Sequence, residues 1–199
     1  MATPQYHLPE ALTHVLYEME MLHGAAALIR ANQIGTPTHN AALESFIVHA
    51  RCLEEFFCKP EKADDNMQPH HFLAGYPKQT GSAFYARMHK EIAHLTYSRK
   101  RPGERRPWKI GQVLGEVANW SLPFLSAALA VDELTNFANN RSLILKQIES
   151  FRQVQKKRAL ALIENDSGTT ATTEATVAST YLGEDIGGTG SAQSGGVCL

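Results

Sequence analysis

Apolar side chains recur along much of this chain at intervals of three and four residues, the spacing that places them on one face of an α-helix. The clearest stripe comprises Leu12, Leu16, Met19, Leu22 and Ala26. No competing run alternates apolar and polar residues as a half-buried strand would. Since 43% of the residues are apolar, a real core can form. The pattern predicts an all-α fold, an up-and-down helical bundle of four to five helices.

Proline, glycine and capping residues set the expected helix ends. Pro9 suits a first turn, and Gly35-Thr36-Pro37 follows the end of the first helix. Thr38 or Asn40 is expected to cap the second helix, and Pro123 is expected to kink or interrupt a later one. The predicted helices span about 9–31, 38–58, 82–99, 108–122, 125–134 and 142–163.

The composition changes abruptly after Asp166. The following residues are rich in Gly, Ser, Thr and Ala and contain few large apolar side chains. Such a segment cannot bury enough apolar surface to offset the entropy lost on ordering. The sequence therefore predicts a helical domain over residues 1–165 and a disordered tail over 166–199.

The predicted third helix carries an arginine and a histidine on one side. Arg87 and His94 are seven positions apart, and at about 100° per residue seven steps return to nearly the same face. A fixed cation beside an imidazole that titrates near neutral pH is the minimal equipment for metal-free attack on a phosphodiester. Alternatively, Arg87 pairs with Glu91 and His94 is a hydrogen-bonded boundary residue, so that the stripe is structural.

Positive charge is concentrated around and after this helix, although the formal net charge of the chain is −1. Basic clusters attract phosphate polyanions, and an aromatic side chain such as Trp108 offers a stacking surface for bases. The alternative is a solvated charged face. A second cluster, between Arg141 and Arg158, holds six Lys and Arg residues against Glu149 alone. The first cluster includes Lys90, Arg99, Lys100, Arg101, Arg105, Arg106 and Lys109.

The spacing of Arg87 and His94, R-x6-H, resembles the R-x4-6-H motif of the HEPN superfamily. These all-α domains include metal-independent RNases of toxin–antitoxin and defence systems. Two helical segments, LESFIVHARCLEEFF and MHKEIAHLTYSR, also look like those of small bacterial HEPN-like proteins, and the resemblance covers about residues 9–155. One departure is Met88, because many active members have a polar residue, often Asn, directly after the arginine.

The resemblance implies a homodimer in which the two third helices meet and both Arg–His pairs line a cleft. A 2′-OH of RNA would attack the adjacent phosphorus, with His94 as general acid or base and Arg87 as phosphate stabiliser. Lys90 would add positive potential, and the basic loop with Trp108 would hold single-stranded RNA. An endoribonuclease of this kind needs no cofactor, and its toxin setting implies an antitoxin or another protein partner. The alternative is a non-catalytic helical protein-interaction module.

Glutamates and histidines offer a third hypothesis, a carboxylate–histidine metal-binding bundle. Two E-x-x-H pairs with two further glutamates form the ligand set of di-iron bundle proteins. Their order along this chain differs from that of ferritin-like proteins, so no metal-ligating residue is predicted. The residues concerned are Glu20, His23, Glu44, Glu91, His94 and Glu116.

Cysteine usage and hydropathy indicate the compartment. Cys52, Cys58 and Cys198 have no spacing typical of a disulfide framework or a zinc site, which suits a reducing cytoplasm. The first residues lack a basic region followed by an apolar run, so no signal peptide is expected. No apolar run approaches the length of a membrane span, and no membrane partner is expected.

Overall fold

The computed structural model describes residues 7–59, 66–82, 84, 86–88 and 108–167, and within them helices are the regular secondary structure, with no strand. The predicted all-α fold is therefore confirmed. The first two residues of the predicted tail, Asp166 and Ser167, belong to the last helix, whereas the rest of that tail and most of the predicted third helix lie outside the described residues. No helix in the described part is both long and apolar enough to cross a membrane. The helices are α1 (Leu8–Ala31), α2 (Pro37–Cys58), α3 (Pro69–Phe72), α4 (Ile110–Leu129), α5 (Asp132–Thr135) and α6 (Asn140–Ser167).

The four long helices pack mainly as two antiparallel pairs, α1 with α2 and α4 with α6. Helices α1 and α6 run in the same direction. The Asn140 side-chain amide donates to the Pro9 carbonyl at 2.8 Å, and further along Lys146 Nζ lies 2.6 Å from Glu20 Oε1. It follows that α2 and α4 also run in the same direction. The end of α2 and the start of α4 therefore lie at opposite ends of the bundle.

The two helix pairs meet at a cluster of aromatic rings around Phe124, which is fully buried. The ring centroids of Phe56, Phe57, Phe72 and Tyr76 lie 5.3, 5.6, 6.1 and 5.7 Å from that of Phe124, all edge to face. Such pairs contribute about 0.5–1.5 kcal/mol beyond the burial of their area. Because the four partners belong to α2, α3 and the loop after α3, Phe124 joins α4 to the first half of the chain.

The start of α2 differs from the prediction by a few residues. The Thr36 hydroxyl accepts a hydrogen bond from the His39 backbone N–H at 3.2 Å, so Thr36 is the cap. Pro37 occupies the first turn, where its missing N–H costs nothing. The predicted caps, Thr38 and Asn40, lie inside the helix.

Helix α4 is continuous through Pro123, so of the predicted kink or interruption the interruption is absent. A proline deprives the carbonyl four residues earlier, that of Asn119, of its helical donor. Both Pro123 and Asn119 are exposed, so solvent is available to that region of the helix. α4 then ends at Leu129, and the predicted helix over 125–134 is divided between α4 and the short α5.

We expect Phe124→Ala to lower the free energy of unfolding by about 3–5 kcal/mol, because it removes a fully buried ring and leaves a cavity. Urea denaturation followed by circular dichroism measures the change. The control is Leu145→Ala on α6, which is 48% exposed and should change stability by less than about 0.5 kcal/mol. A loss below about 1 kcal/mol for Phe124→Ala would show that this cluster does not hold the halves together.

Candidate nucleic-acid interface

A buried carboxylate fixes the start of the segment that carries Arg87. Glu54, on α2, is 2% exposed and accepts two hydrogen bonds from Ser82, one from its backbone N–H at 2.5 Å and one from its hydroxyl at 2.9 Å. The Ser82 hydroxyl in turn accepts from the Phe84 backbone N–H at 3.2 Å, as an N-cap side chain does. Burial raises the pKa of Glu54 above 4.5, and the two bonds from Ser82 act in the opposite direction.

Helical structure begins where the sequence predicts it, near Ser82. The Met88 backbone N–H donates to the Phe84 carbonyl at 2.8 Å, an i to i−4 bond, and residues 86–88 are helical. Met88 is 2% exposed and belongs to the hydrophobic core. The apolar residue that departs from the R-x4-6-H pattern is thus a core residue here, next to the half-buried Arg87.

The Arg87 side chain lies on the indole ring of Trp108. Its guanidinium carbon is 4.0 Å from the ring centroid, which is a cation–π contact. Such contacts are worth about 0.5–1 kcal/mol at exposed sites and more where water is excluded. Trp108 is itself half-buried, just before α4. Of the predicted site residues, the structure therefore brings Arg87 and Trp108 together.

The remaining predicted site residues lie outside the described residues. Because Arg87 and Trp108 are in contact, the described segments before and after residues 89–107 end close to each other. The residues concerned are Lys90, His94, Arg99, Lys100, Arg101, Arg105 and Arg106.

A pocket of about 440 Å³ lies beside Trp108, between the ends of α1, α4 and α6. We call it the cationic pocket. Apolar contacts come from Trp108, Leu114, Val154 and Ala161, and its charged lining residues are Arg30, Lys109, Lys157 and Arg158. Lys109, Lys157 and Arg158 belong to the basic clusters recognised in the sequence, but their spacing does not predict that they line one pocket. Arg30 was not predicted, and its position in the last turn of the first helix was the one available signal.

The positive charge of the cationic pocket is only partly balanced. Arg158 Nη2 lies 3.9 Å from Glu116 Oε1, and these side chains are 43% and 35% exposed, so the pair is weak. Within the described part of the chain, Arg30, Lys109 and Lys157 have no carboxylate partner. Partly screened cations around an apolar recess attract anions that carry an apolar or planar group.

Gly115 makes room for Arg158 against α4. A Cβ atom at this buried position would lie 2.5 Å from Arg158 Nη1, closer than real Cβ atoms approach, and 3.2 Å from its Cδ, which is a tight contact. The Arg158 side chain can therefore lie across the α4 backbone because position 115 has no side chain. This contact places the Arg158 guanidinium at the pocket wall.

The described residues do not assemble the metal site considered above. No group of three or more His, Cys, Asp or Glu side chains in the described ranges could hold a metal ion. The Glu20 carboxylate pairs with a lysine, whereas His23 packs on Phe151 with 4.5 Å between ring centroids. Burial, and secondarily the charge of Arg30, lowers the pKa of His23 to about 4. The other predicted E-x-x-H pair lies outside the described residues.

A smaller pocket of about 260 Å³, between α1, α2 and the residues before α3, contains Cys52, Glu18 and Glu55. Although Cys52 is exposed, partial desolvation within the pocket and the two carboxylates raise the pKa of its thiol to about 11, which keeps it protonated and a poor nucleophile. The carboxylates are already engaged, Glu18 with His49 at 2.7 Å and Glu55 with Arg51 at 2.9 Å. This pocket does not have the chemistry of a cysteine nucleophile.

Comparisons with models of protein families, with curated proteins and with solved structures found no match to this chain. A function must therefore be inferred from its own residues. The Arg87–Trp108 contact and the neighbouring cationic pocket are the features with the clearest binding chemistry.

Replacing Glu54 by Gln should change how stability depends on pH. Because the pKa of Glu54 is raised by folding, the folded state holds the proton more tightly than the unfolded state. As the pH falls from 8 toward 5, the stability of the wild type should therefore rise relative to that of Glu54→Gln. The Gln side chain keeps an acceptor and a donor for Ser82, so the variant should fold.

Urea titrations of both proteins at several pH values measure this difference, in which the contributions of groups that do not interact with Glu54 cancel. A difference that stays constant, or that favours the variant as the pH falls, would contradict the burial of an ionisable Glu54.

Proposed function

We propose that this chain binds RNA at the surface formed by Arg87, Trp108 and the cationic pocket. The observation that carries the proposal is the guanidinium of Arg87 on the indole of Trp108, beside a recess lined by cations. Single-stranded RNA offers both phosphates for the cations and unstacked bases for planar side chains. The plane of an arginine guanidinium is also a stacking surface for bases. Arg87 as well as Trp108 can therefore stack on an RNA base.

The basic loop predicted from the sequence supports the same proposal. Residues 99–106 contain five Lys and Arg residues, Arg99, Lys100, Arg101, Arg105 and Arg106. They lie in the chain between Arg87 and Trp108, whose side chains are in contact. A flexible polyanion is bound by phosphate contacts as well as by stacking, and these basic residues are the candidates for such phosphate contacts.

The reaction we propose for this surface is metal-independent cleavage of RNA, on the basis of the R-x6-H spacing and the resemblance to HEPN RNases. A 2′-OH attacks the adjacent phosphorus, the bond to the 5′-oxygen breaks, and the products carry a 2′,3′-cyclic phosphate and a 5′-hydroxyl. His94 moves the protons, and Arg87 binds the phosphate and its developing charge. A homodimer would bring two such pairs together, and an antitoxin would restrain a toxic nuclease.

RNA affinity should depend on the loop. Replacing Arg101, Arg105 and Arg106 by Ala should weaken binding of every single-stranded RNA alike and make the plot of log K against log salt shallower by about 0.7 per lost phosphate contact. Fluorescence anisotropy at several salt concentrations measures both effects. The matched control replaces Arg141, Arg152 and Lys156, three exposed residues of α6 outside the pocket lining.

The control has the same net charge as the loop variant and should retain most of the affinity. Equal losses in the two variants would reduce the loop to a solvated charged face. If the wild type does not bind RNA at low salt, RNA binding is excluded and the protein-interaction module becomes the better proposal.

Cleavage should depend on Arg87 and His94 together. His94→Ala should abolish cleavage while keeping most RNA affinity, because proton transfer contributes to the transition state far more than to binding. Arg87→Ala should be comparably inactive, and the double variant no worse than either single variant. Gel analysis with 2′,3′-cyclic phosphate detection is the measurement, with the exposed His14→Ala as control. Cleavage that persists in His94→Ala, or that EDTA stops, would refute this mechanism.

A further inference from the structure

We infer that the cationic pocket is a subsite for one nucleotide that carries a phosphate monoester. Two sources can present this chemistry, a phosphorylated end of an RNA strand and a free nucleoside monophosphate. In its RNA form the inference rests on the proposed function, whereas binding of the free nucleotide does not.

The size of the pocket fits a single nucleotide. Its volume of about 440 Å³ lies near the lower end of the range of ligand pockets, which is about 300–1,000 Å³. One nucleotide fills such a space, and a longer stretch of RNA would have to run outside it. A strand that places one nucleotide in a recess and continues across Trp108 would do so most simply with its terminal nucleotide.

The charge of the pocket favours a monoester over the diester of an internal linkage. A phosphate monoester carries a charge of about −1.5 to −2 near neutral pH and has three strong acceptor oxygens, whereas a diester carries a single charge. Arg30, Lys109 and Lys157 line the same recess from three parts of the chain, and none pairs with a carboxylate of the described residues. Three cations exceed what one diester phosphate needs.

Arg158 provides a fourth cation that can exchange its partner. Its contact with Glu116 is loose, at 3.9 Å, and its side chain crosses α4 over Gly115. A doubly charged phosphate competes well with a single half-exposed carboxylate for a guanidinium. The apolar side chains of Leu114 and Val154 provide contact for the ribose and base.

The test compares strands that differ only at their ends. A hexamer of 2′-O-methyl RNA, which has no free 2′-OH and cannot be cleaved by internal attack, is prepared with a 5′-phosphate, with a 3′-phosphate, and with hydroxyl ends. Isothermal titration calorimetry gives the Kd of each strand and of adenosine monophosphate for the full chain. We expect one phosphorylated strand to bind at least about tenfold more tightly than the hydroxyl-ended strand.

Two double variants test whether the preference for a phosphorylated end arises in the cationic pocket. Lys157→Gln/Arg158→Gln should remove the preference for the phosphorylated end. Arg152→Gln/Lys156→Gln loses the same charge from exposed positions of α6 outside the pocket and should keep it. The ratio of the two Kd values is the readout, so a general loss of RNA affinity does not affect it.

The outcomes separate this inference from the proposed function. RNA binding without an end preference, or a preference that persists in Lys157→Gln/Arg158→Gln, would overturn the phosphate subsite and leave RNA binding intact. Binding of adenosine monophosphate that the same variant abolishes, without any RNA binding, would keep the subsite as one for a free nucleotide and refute the RNA proposal. Binding of none of the probes would refute both.

Discussion

The packing of aromatic rings around Phe124 is the interaction on which the rest of this structure depends. The two helix pairs otherwise meet mainly along α1 and α6, where Asn140 bonds to the Pro9 carbonyl. With α4 held against α2 and α3, the start of α4 lies beside the end of α1 and the second half of α6. Arg30 and Lys157 can then line one recess next to the start of α4. The candidate interface is thus a consequence of how the core is packed.

The buried carboxylate of Glu54 is a second constraint, because it positions the segment that carries Arg87. The carboxylate is 2% exposed, and burial outweighs its two bonds from Ser82 in setting the direction of its pKa shift. In return, Ser82 is held where its hydroxyl caps the turn that leads to Met88 and Arg87. The buried carboxylate thus fixes the start of the segment whose Arg87 lies on Trp108.

Periodicity is sufficient to predict the approximate extent of α1, α2 and α6, whereas α4 is longer than predicted because it continues through Pro123. Periodicity does not decide which of several neighbouring residues caps a helix. At the start of α2 the cap is Thr36 and not Thr38. The site was only partly predictable. Arg87 and Trp108 were singled out separately, but their contact and the role of Arg30 depend on tertiary packing, which spacing along one helix does not encode. Glu54 was missed because a helical pattern does not show whether a glutamate on a mostly apolar helix has a buried partner.

The two tryptophans of this chain allow a direct test of the proposal that RNA binds at Trp108. Trp120 is 5% exposed in the core, whereas Trp108 is half-buried beneath Arg87. Each gives one indole N–H signal in a nitrogen–proton correlation spectrum, so Trp120 is an internal control. On titration with a non-cleavable single-stranded RNA at low salt, we expect a saturable shift of the Trp108 signal while that of Trp120 stays in place. No shift of the Trp108 signal, or equal shifts of both, would contradict it.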